Sequence, residues 1–180
     1  MIEVEKKFRL TKRQRDAVLK RLPALGASLH REEFEENILF GGGGDLLNVA
    51  TCVLRLRRVG EKATLTYKKR LPTVSSIRYQ REEETRVEDP EAMEAILEAL
   101  GFTPTMVYEK RRQIWMLGKT EILIDVLPFG LFMEIEGREN EIRAVERKLG
   151  LKGLRTEPAT YPQLTAKYGK PYEGLIAARF

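Results

Sequence analysis

One cysteine, Cys52, and one histidine, His30, are all the thiol and imidazole that this 180-residue chain carries. A single Cys can form neither an internal disulfide nor a thiolate zinc site, and a single His removes His-rich metal sites and argues against a catalytic triad. Cys52 sits in the apolar run Val49-Ala50-Thr51-Cys52-Val53-Leu54 and reads as a buried structural thiol. His30, between Leu29 and Arg31, reads as an incidental strand residue. Long hydrophobic runs are also missing: no window approaches the roughly 18 apolar residues of a membrane span. The start, Met1-Ile2-Glu3-Val4-Glu5-Lys6-Lys7, lacks the apolar region of a signal peptide. The expectation is a soluble, cytoplasmic protein with no membrane partner. Any chemistry must come from carboxylates, Lys, Arg, Tyr or hydroxyls.

Charge is what the chain has in abundance. Lys and Arg number 32 against 27 Asp and Glu, for a net charge of +5, and charged residues make up 33% beside 42% hydrophobic ones. That is enough apolar material for one folded domain under an unusually heavy load of ions of both signs.

Hydrophobic period divides the chain into strands and helices. Residues 1–10 alternate Ile2, Val4, Lys6, Phe8 against Glu3, Glu5, Lys7, Arg9, a period of two that predicts a strand. Thr11 then offers an N-cap to a helix carrying Val18, Leu19, Leu22 and Leu25, closed by Pro23 and Gly26. Residues 28–40 alternate again, with Arg31, Glu33, Glu35 and Asn37 on one side, before Gly41 to Gly44 read as a flexible connection. Those glycines are not a phosphate-cradling loop, because no Gly-Lys-Ser/Thr ending and no following helix are present.

Further strands are predicted at Cys52–Val59, Ala63–Lys69, Ile77–Glu88, Met106–Leu117, Glu121–Leu127 and Leu131–Gly137, with short turns between most of them. Asp89-Pro90 opens a helix that Gly101 closes, another runs over Glu139–Leu149, and a short last one starts near Pro162. Meander connections dominate eight strands, which predicts an α+β fold with a mostly antiparallel sheet, large enough to close into a barrel with helices packed outside. The apolar helical stripes are core faces, and Tyr67, Tyr79, Tyr108 and Trp115 read as packing or barrel wall.

The ions fall on one face. Read at period two, the strands present Glu3, Glu5, Lys7; Arg55, Arg57; Thr64, Thr66, Lys68; Arg78, Gln80, Glu82, Glu84; Lys110, Arg112; Asp125; Glu134 and Glu136. In an open sheet this would be the solvated side. In a closed one it would line a tunnel, whose ions need offsetting because a buried unpaired charge costs several kcal/mol. A polyphosphate with a divalent cation provides that offset: Arg and Lys hold phosphate oxygens, and carboxylates two residues apart on a strand face the same hard metal.

Here the chain resembles the CYTH, or triphosphate tunnel metalloenzyme, group. The hallmark E-x-E-x-K of its first strand is matched by Glu3-Val4-Glu5-Lys6-Lys7. There follow Leu54-Arg55-Leu56-Arg57, Leu65-Thr66-Tyr67-Lys68, Glu82-Glu83-Glu84, Glu109-Lys110-Arg111-Arg112, the run from Ile124-Asp125 to Glu134-Ile135-Glu136-Gly137, and Thr160-Tyr161-Pro162-Gln163-Leu164, which is similar to the group's closing helix. The resemblance spans residues 1–170, with 171–180 a C-terminal tail.

It implies a closed barrel and a site. Glu3, Glu5, Glu134 and Glu136 would hold Mg²⁺ or Mn²⁺, and Lys7, Arg55, Arg57, Lys68, Arg78, Lys110 and Arg112 would grip a triphosphate, with Lys167 on the last helix. Glu82, Glu84 or Asp125 would orient the attacking water, with Lys68 beside them. The implied reaction is metal-dependent hydrolysis of a triphosphate, tripolyphosphate or an organic one. The alternative is the class IV adenylyl cyclase reaction, from ATP to cyclic AMP and pyrophosphate. Where many relatives carry D-x-Y-F-D this chain has Asn37-Ile38-Leu39-Phe40-Gly41, which argues against a specific thiamine triphosphatase. A non-catalytic nucleic-acid module is the least favoured reading, since interleaved glutamates would repel a phosphate backbone. Nothing in the sequence fixes the oligomeric state, and a homodimer is compatible with it.

Overall fold

The computed structural model describes residues 1–44, 47–151 and 153–180. In chain order the elements are β1 (Ile2–Leu10), α1 (Lys12–Ala24), β2 (Ser28–Gly42), β3 (Cys52–Val59), β4 (Lys62–Arg70), β5 (Arg78–Val87) and α2 (Pro90–Ala99). Then come β6 (Phe102–Leu117), β7 (Thr120–Leu127), β8 (Gly130–Glu136), α3 (Glu139–Lys148), α4 (Tyr161–Tyr168), β9 (Lys170–Tyr172) and β10 (Leu175–Ala178). Two antiparallel meanders, β2-β3-β4-β5 and β6-β7-β8, are joined by β1, which lies between β5 and β8. Pairing of β2 with β6 closes the ring, so that eight strands form the expected barrel.

Local chemistry sets the element ends. Thr11 caps α1 through a reciprocal capping box with Gln14, Asp89 accepts from the Ala92 N–H ahead of Pro90, and Thr160 caps α4 in a box with Gln163. The glycine run differs from expectation: Gly41 and Gly42 are the last residues of β2, paired with Thr103 and Phe102. A Cβ on Gly42 would lie 2.5 Å from the Gly101 carbonyl oxygen, so only glycine lets the two chains approach there. This extends β6 back to Phe102, four residues before its expected start, across a register shift beside Pro104.

The outer faces of the strands are apolar, and the helices cover them. α1 and α3 bury Val18, Leu22, Ile142 and Val145 against Phe8, Leu10, Ile122, Ile124, Met133 and Ile135. α2 buries Leu97 against Phe40, Leu56, Ala63 and Val87. Burial of such side chains contributes about 1.5–3 kcal/mol each, and it turns the polar faces inward. Cys52 is buried, with its sulfur 3.3 Å from the Tyr67 hydroxyl, and His30 is exposed on β2. No helix among the described residues is long and apolar enough to cross a membrane.

Two strands exceed the expected eight. β9 and β10 form a hairpin over residues 170–178, and β10 pairs in parallel with Met106–Tyr108 of β6. β7 pairs with β6 only from Arg111 onward, so β10 occupies the stretch of edge that β7 leaves.

Candidate active site

Inside the barrel lies a cavity of about 220 Å³. At one end α4 closes it. Tyr161 packs there among Leu39, Tyr108, Leu127, Phe132 and Leu164, and Thr160 and Pro162 complete the wall. Period-two alternation brings most of the expected residues to this one space, from six strands. Glu3, Glu5 and Lys7 come from β1, Arg55 and Arg57 from β3, Lys68 from β4, and Arg78, Glu82 and Glu84 from β5. Lys110 and Arg112 of β6 and Glu134 and Glu136 of β8 complete the lining. The ionic faces therefore enclose a common cavity instead of looking out at solvent.

The carboxylates divide into two groups. Oxygens of Glu3, Glu5 and Glu136 lie within 4.8 Å of one another, with Glu5 buried and the other two partly buried. Burial and repulsion from nearby carboxylates raise all three above the ordinary carboxylate range. For Glu136 burial acts first, followed by the charges of Glu3, Glu5 and Glu134. For Glu5 burial is followed by the charge of Glu134, and for Glu3 burial outweighs the help of Lys68. Three converging oxygen ligands with a deficit of positive charge are the donor set of a hard divalent cation. The residues present therefore fit Mg²⁺ or Mn²⁺.

Glu134 belongs to the other group, despite its expected place among the metal ligands. Its oxygens lie 2.6 Å from Arg112 Nη2, 3.3 Å from Lys7 Nζ and 3.7 Å from Arg78 Nη2. Although burial acts against ionisation, Lys7, Arg112, Lys110 and Arg78 hold its carboxyl well below the usual range. Asp125 is fully buried and does not border the cavity. Arg112 donates to it from Nε and Nη2 at 2.7 and 2.6 Å, and the Tyr161 hydroxyl donates to its Oδ2 at 2.6 Å. It anchors Arg112 and α4 and is not presented to a water in the cavity.

Other cations are held in place from several sides. Lys68 bridges Glu3 at 2.7 Å and Glu82 at 3.1 Å. Arg55 donates to the Thr66 hydroxyl, which donates to Glu84 at 2.9 Å. Arg78 reaches Glu5 at 3.0 Å and donates to the carbonyls of Pro158 and Ala159. Lys7 donates to Ala159 O at 3.2 Å and stands 3.6 Å from the centre of the Tyr161 ring. Burial lowers Lys110 to about 8, with Arg112 and Arg57 adding to the effect while Asp125 and Glu35 oppose it.

Lys167, like Asp125, lies off the cavity wall. It is exposed on α4, with its ammonium over the ring of Tyr168. Conversely, the structure gives a place at the site to residues to which the sequence assigns no role: Tyr161, which plugs the barrel; Gln80, which donates to Glu5 at 2.7 Å; Arg31, Glu33 and Glu121 in the lining; and Glu35 behind the cations. Tyr108, read as wall, both borders the cavity and packs into the apolar plug. Leu39 lies in the same plug, so the second-strand tyrosine position of relatives is apolar packing here.

Comparison with known proteins agrees with this architecture. The CYTH domain model matches residues 1–161. A Methanocaldococcus jannaschii protein named "Putative adenylate cyclase MJ0240" is 32% identical over 151 residues, covering 83% of this chain and 84% of its own. The solved structure of the PH1012 protein from Pyrococcus horikoshii superposes with a TM-score of 0.76 at 30% identity, covering 88% of this chain and 96% of that one. At 20% identity and a TM-score of 0.70, the fold is shared with HpAC1 from Hippeastrum, described as a "putative adenylyl cyclase" with a dominant triphosphatase activity; 97% of this chain and 99% of that one are covered. With the family's ionic strands gathered around a single cavity and its model matched over most of the length, this chain belongs to the CYTH domain family.

Proposed function

We propose that this protein is a divalent-metal-dependent triphosphatase that takes an inorganic tripolyphosphate, or the triphosphate part of an organic molecule, into its barrel. The observation that carries this reading is the pairing of a convergent, incompletely neutralised carboxylate triad with a ring of inward Lys and Arg around a cavity of about 220 Å³. Sites that enclose drug-sized molecules run from roughly 300 to 1,000 Å³. A short chain of phosphates suits the smaller volume, and an organic group would remain towards the outside.

Phosphoryl transfer asks the protein for position and charge more than for covalent chemistry. Lys7, Arg55, Lys68, Arg78 and Lys110 bind phosphate oxygens and fix the chain along the barrel. Arg112, its far edge clamped by Asp125, keeps one orientation towards the same chain. Glu3, Glu5 and Glu136 hold Mg²⁺ or Mn²⁺, which when bound polarises phosphoryl oxygens and neutralises their charge. Glu82 and Glu84 line the cavity, where either can orient a water and accept its proton. Lys68, between Glu3 and Glu82, offsets charge on the phosphoryl group nearest that water.

The name of the 32% identical relative favours a second reading, cyclisation of ATP within the same ring of charges. Product analysis separates the two. Purified protein with Mg²⁺, Mn²⁺ or Ca²⁺ is offered tripolyphosphate, ATP and thiamine triphosphate. Orthophosphate released from tripolyphosphate or ATP supports hydrolysis, and cyclic AMP with pyrophosphate supports the cyclase. Turnover that persists in Glu136→Gln at the wild-type rate would overturn the assigned metal site, and salt-sensitive duplex binding without turnover would favour a nucleic-acid module.

A further inference from the structure

Glu35 sits behind the cations of the site. Its side chain has no exposed surface, and it does not border the cavity, whereas Arg57, Lys110 and Arg112 do. Its Oε2 lies 3.3 Å from Lys110 Nζ and 3.4 Å from Arg57 Nε, and its Oε1 is 3.7 Å from Arg112 Nε. Strand register produces this: Glu35 is opposite Lys110 across the β2–β6 pair, and two residues on Asn37 is opposite Arg57 across β2–β3. Asn37, also fully buried, donates to Glu35 Oε2 at 3.3 Å and steadies it. One carboxylate therefore faces three converging cations from the side away from the space where phosphate would lie.

Glu35 is not alone in acting on Lys110: Asp125 also favours the charged ammonium. From β7, Asp125 is 3.9 Å away, but both of its oxygens are engaged by Arg112 and one also by Tyr161. From α4, the Tyr161 ring centre is 5.3 Å away and carries no charge to offset. Glu134 of β8 acts through space while bound to Lys7, Arg112 and Arg78. Arg57 from β3 and Arg112 from β6 itself repel the ammonium.

We propose that Glu35 is a positioning residue: it keeps the Lys110 ammonium charged and, with Arg57 and Arg112, directed at the phosphate chain, without touching the substrate itself. This rests on the triphosphate reading above. The physical reason is that three like charges in a confined space relax either by losing a proton or by moving apart, and the arginines do not lose theirs. Lysine is the group that yields, so removing the counter-charge should appear first at Lys110.

The test is the titration of the Lys110 ε-ammonium, followed by NMR on protein labelled at lysine side chains and assigned with Lys110→Arg. Glu35→Gln should lower the midpoint by about one pH unit, and Glu35→Asp, which keeps the charge but withdraws it, by a smaller amount in the same direction. Tripolyphosphate binding by calorimetry should be within about threefold of wild type at pH 6.5 and about tenfold weaker at pH 9, the loss following the extra deprotonation. A wild-type midpoint in both variants, or a loss of binding equal at both pH values, would overturn the proposal. If Glu35→Gln fails to fold, the sign of the shift in Glu35→Asp decides. Should wild-type protein fail to bind tripolyphosphate at either pH, the substrate reading falls, while the titration still settles the role of Glu35.

Discussion

Glu134 and Glu136 are two residues apart on β8, point to the same side of the sheet and line the same cavity. Their ionisation nevertheless shifts in opposite directions. Glu134 has Lys7, Arg78 and Arg112 around it and is held strongly ionised, whereas Glu136 faces Glu3 and Glu5 and is pushed well above its ordinary value. Residue type and face are the same, so the difference comes from what the neighbouring strands contribute. β1 is the neighbour in both cases: it sets Lys7 opposite Glu134 and Glu5 opposite Glu136. A single alternating strand, Glu3-Val4-Glu5-Lys6-Lys7, thereby creates an anionic end and a neutralised end within one cavity. The first has a deficit of positive charge that a metal ion would fill, and in the second the carboxylate is already matched by cations.

Substitution should break the two ends differently. Glu134→Gln removes the shared partner of three buried cations and should destabilise the protein by about 3–5 kcal/mol, together with loss of turnover; urea unfolding measures the first and phosphate release the second. Glu136→Gln should do the reverse. Relief of repulsion within the triad leaves stability equal or higher, while turnover falls by about 10²–10³-fold, the usual scale for losing one electrostatic contributor. If both variants lost stability equally, the division of the cavity into two ends would be wrong.

Added metal sharpens the same contrast. At about 100 times its dissociation constant, Mg²⁺ or Mn²⁺ should stabilise wild-type protein by about 2.7 kcal/mol. The increment should shrink in Glu136→Gln, as read by thermal unfolding at fixed metal concentration.

At the neutralised end Lys110 gives the comparison a pH axis. With its native value near 8 against an ordinary 10.5, the ammonium loses its proton as pH rises through about 8, so kcat/KM for a triphosphate should fall above that pH. The stability contribution has the opposite sign. Between about 8 and 10.5 the unfolded chain holds more protons at this lysine than the native one does, and stability from this group rises with pH. Activity and stability should therefore diverge in that window, the former measured by initial rates and the latter by urea midpoints. Arg at position 110 should flatten both curves.

Much of this arrangement was legible in the sequence, because alternation determines the face of a strand. The inward set on β1, β3, β4, β5 and β8 follows from period two, and caps such as Asp89-Pro90 follow from local chemistry. What alternation leaves open is which charges meet, since that depends on register between strands far apart in the chain. Hence residue type alone groups Glu134 with Glu136, and nothing local to Asp125 shows that Arg112 and Tyr161 engage it. Glu35, seen only as one polar residue beside Arg31, Glu33 and Asn37, carried no local sign of its three cations. The β9–β10 hairpin was missed for another reason. Its strands are three and four residues long, too short for a period to be read, and parallel pairing with β6 holds the second in place.

Lys167 supplies the smallest expected effect and a check on the boundary of the site. Thr160 caps α4 so that Tyr161, its first residue, enters the barrel. Six residues later the helix has turned through about 600°, which places Lys167 roughly 240° around from Tyr161 and away from the cavity. Its ammonium rests over the Tyr168 ring on the surface. Surface substitutions of this kind change stability by no more than about 0.5 kcal/mol. Lys167→Ala should accordingly leave kcat/KM within about twofold of wild type at low and at physiological salt. By contrast, Tyr161→Phe, which deletes only the hydroxyl that donates to Asp125, should lower turnover by loosening the anchor of Arg112. A large loss in Lys167→Ala would mean that α4 rotates or bends when substrate enters, bringing its outer face to the phosphate chain.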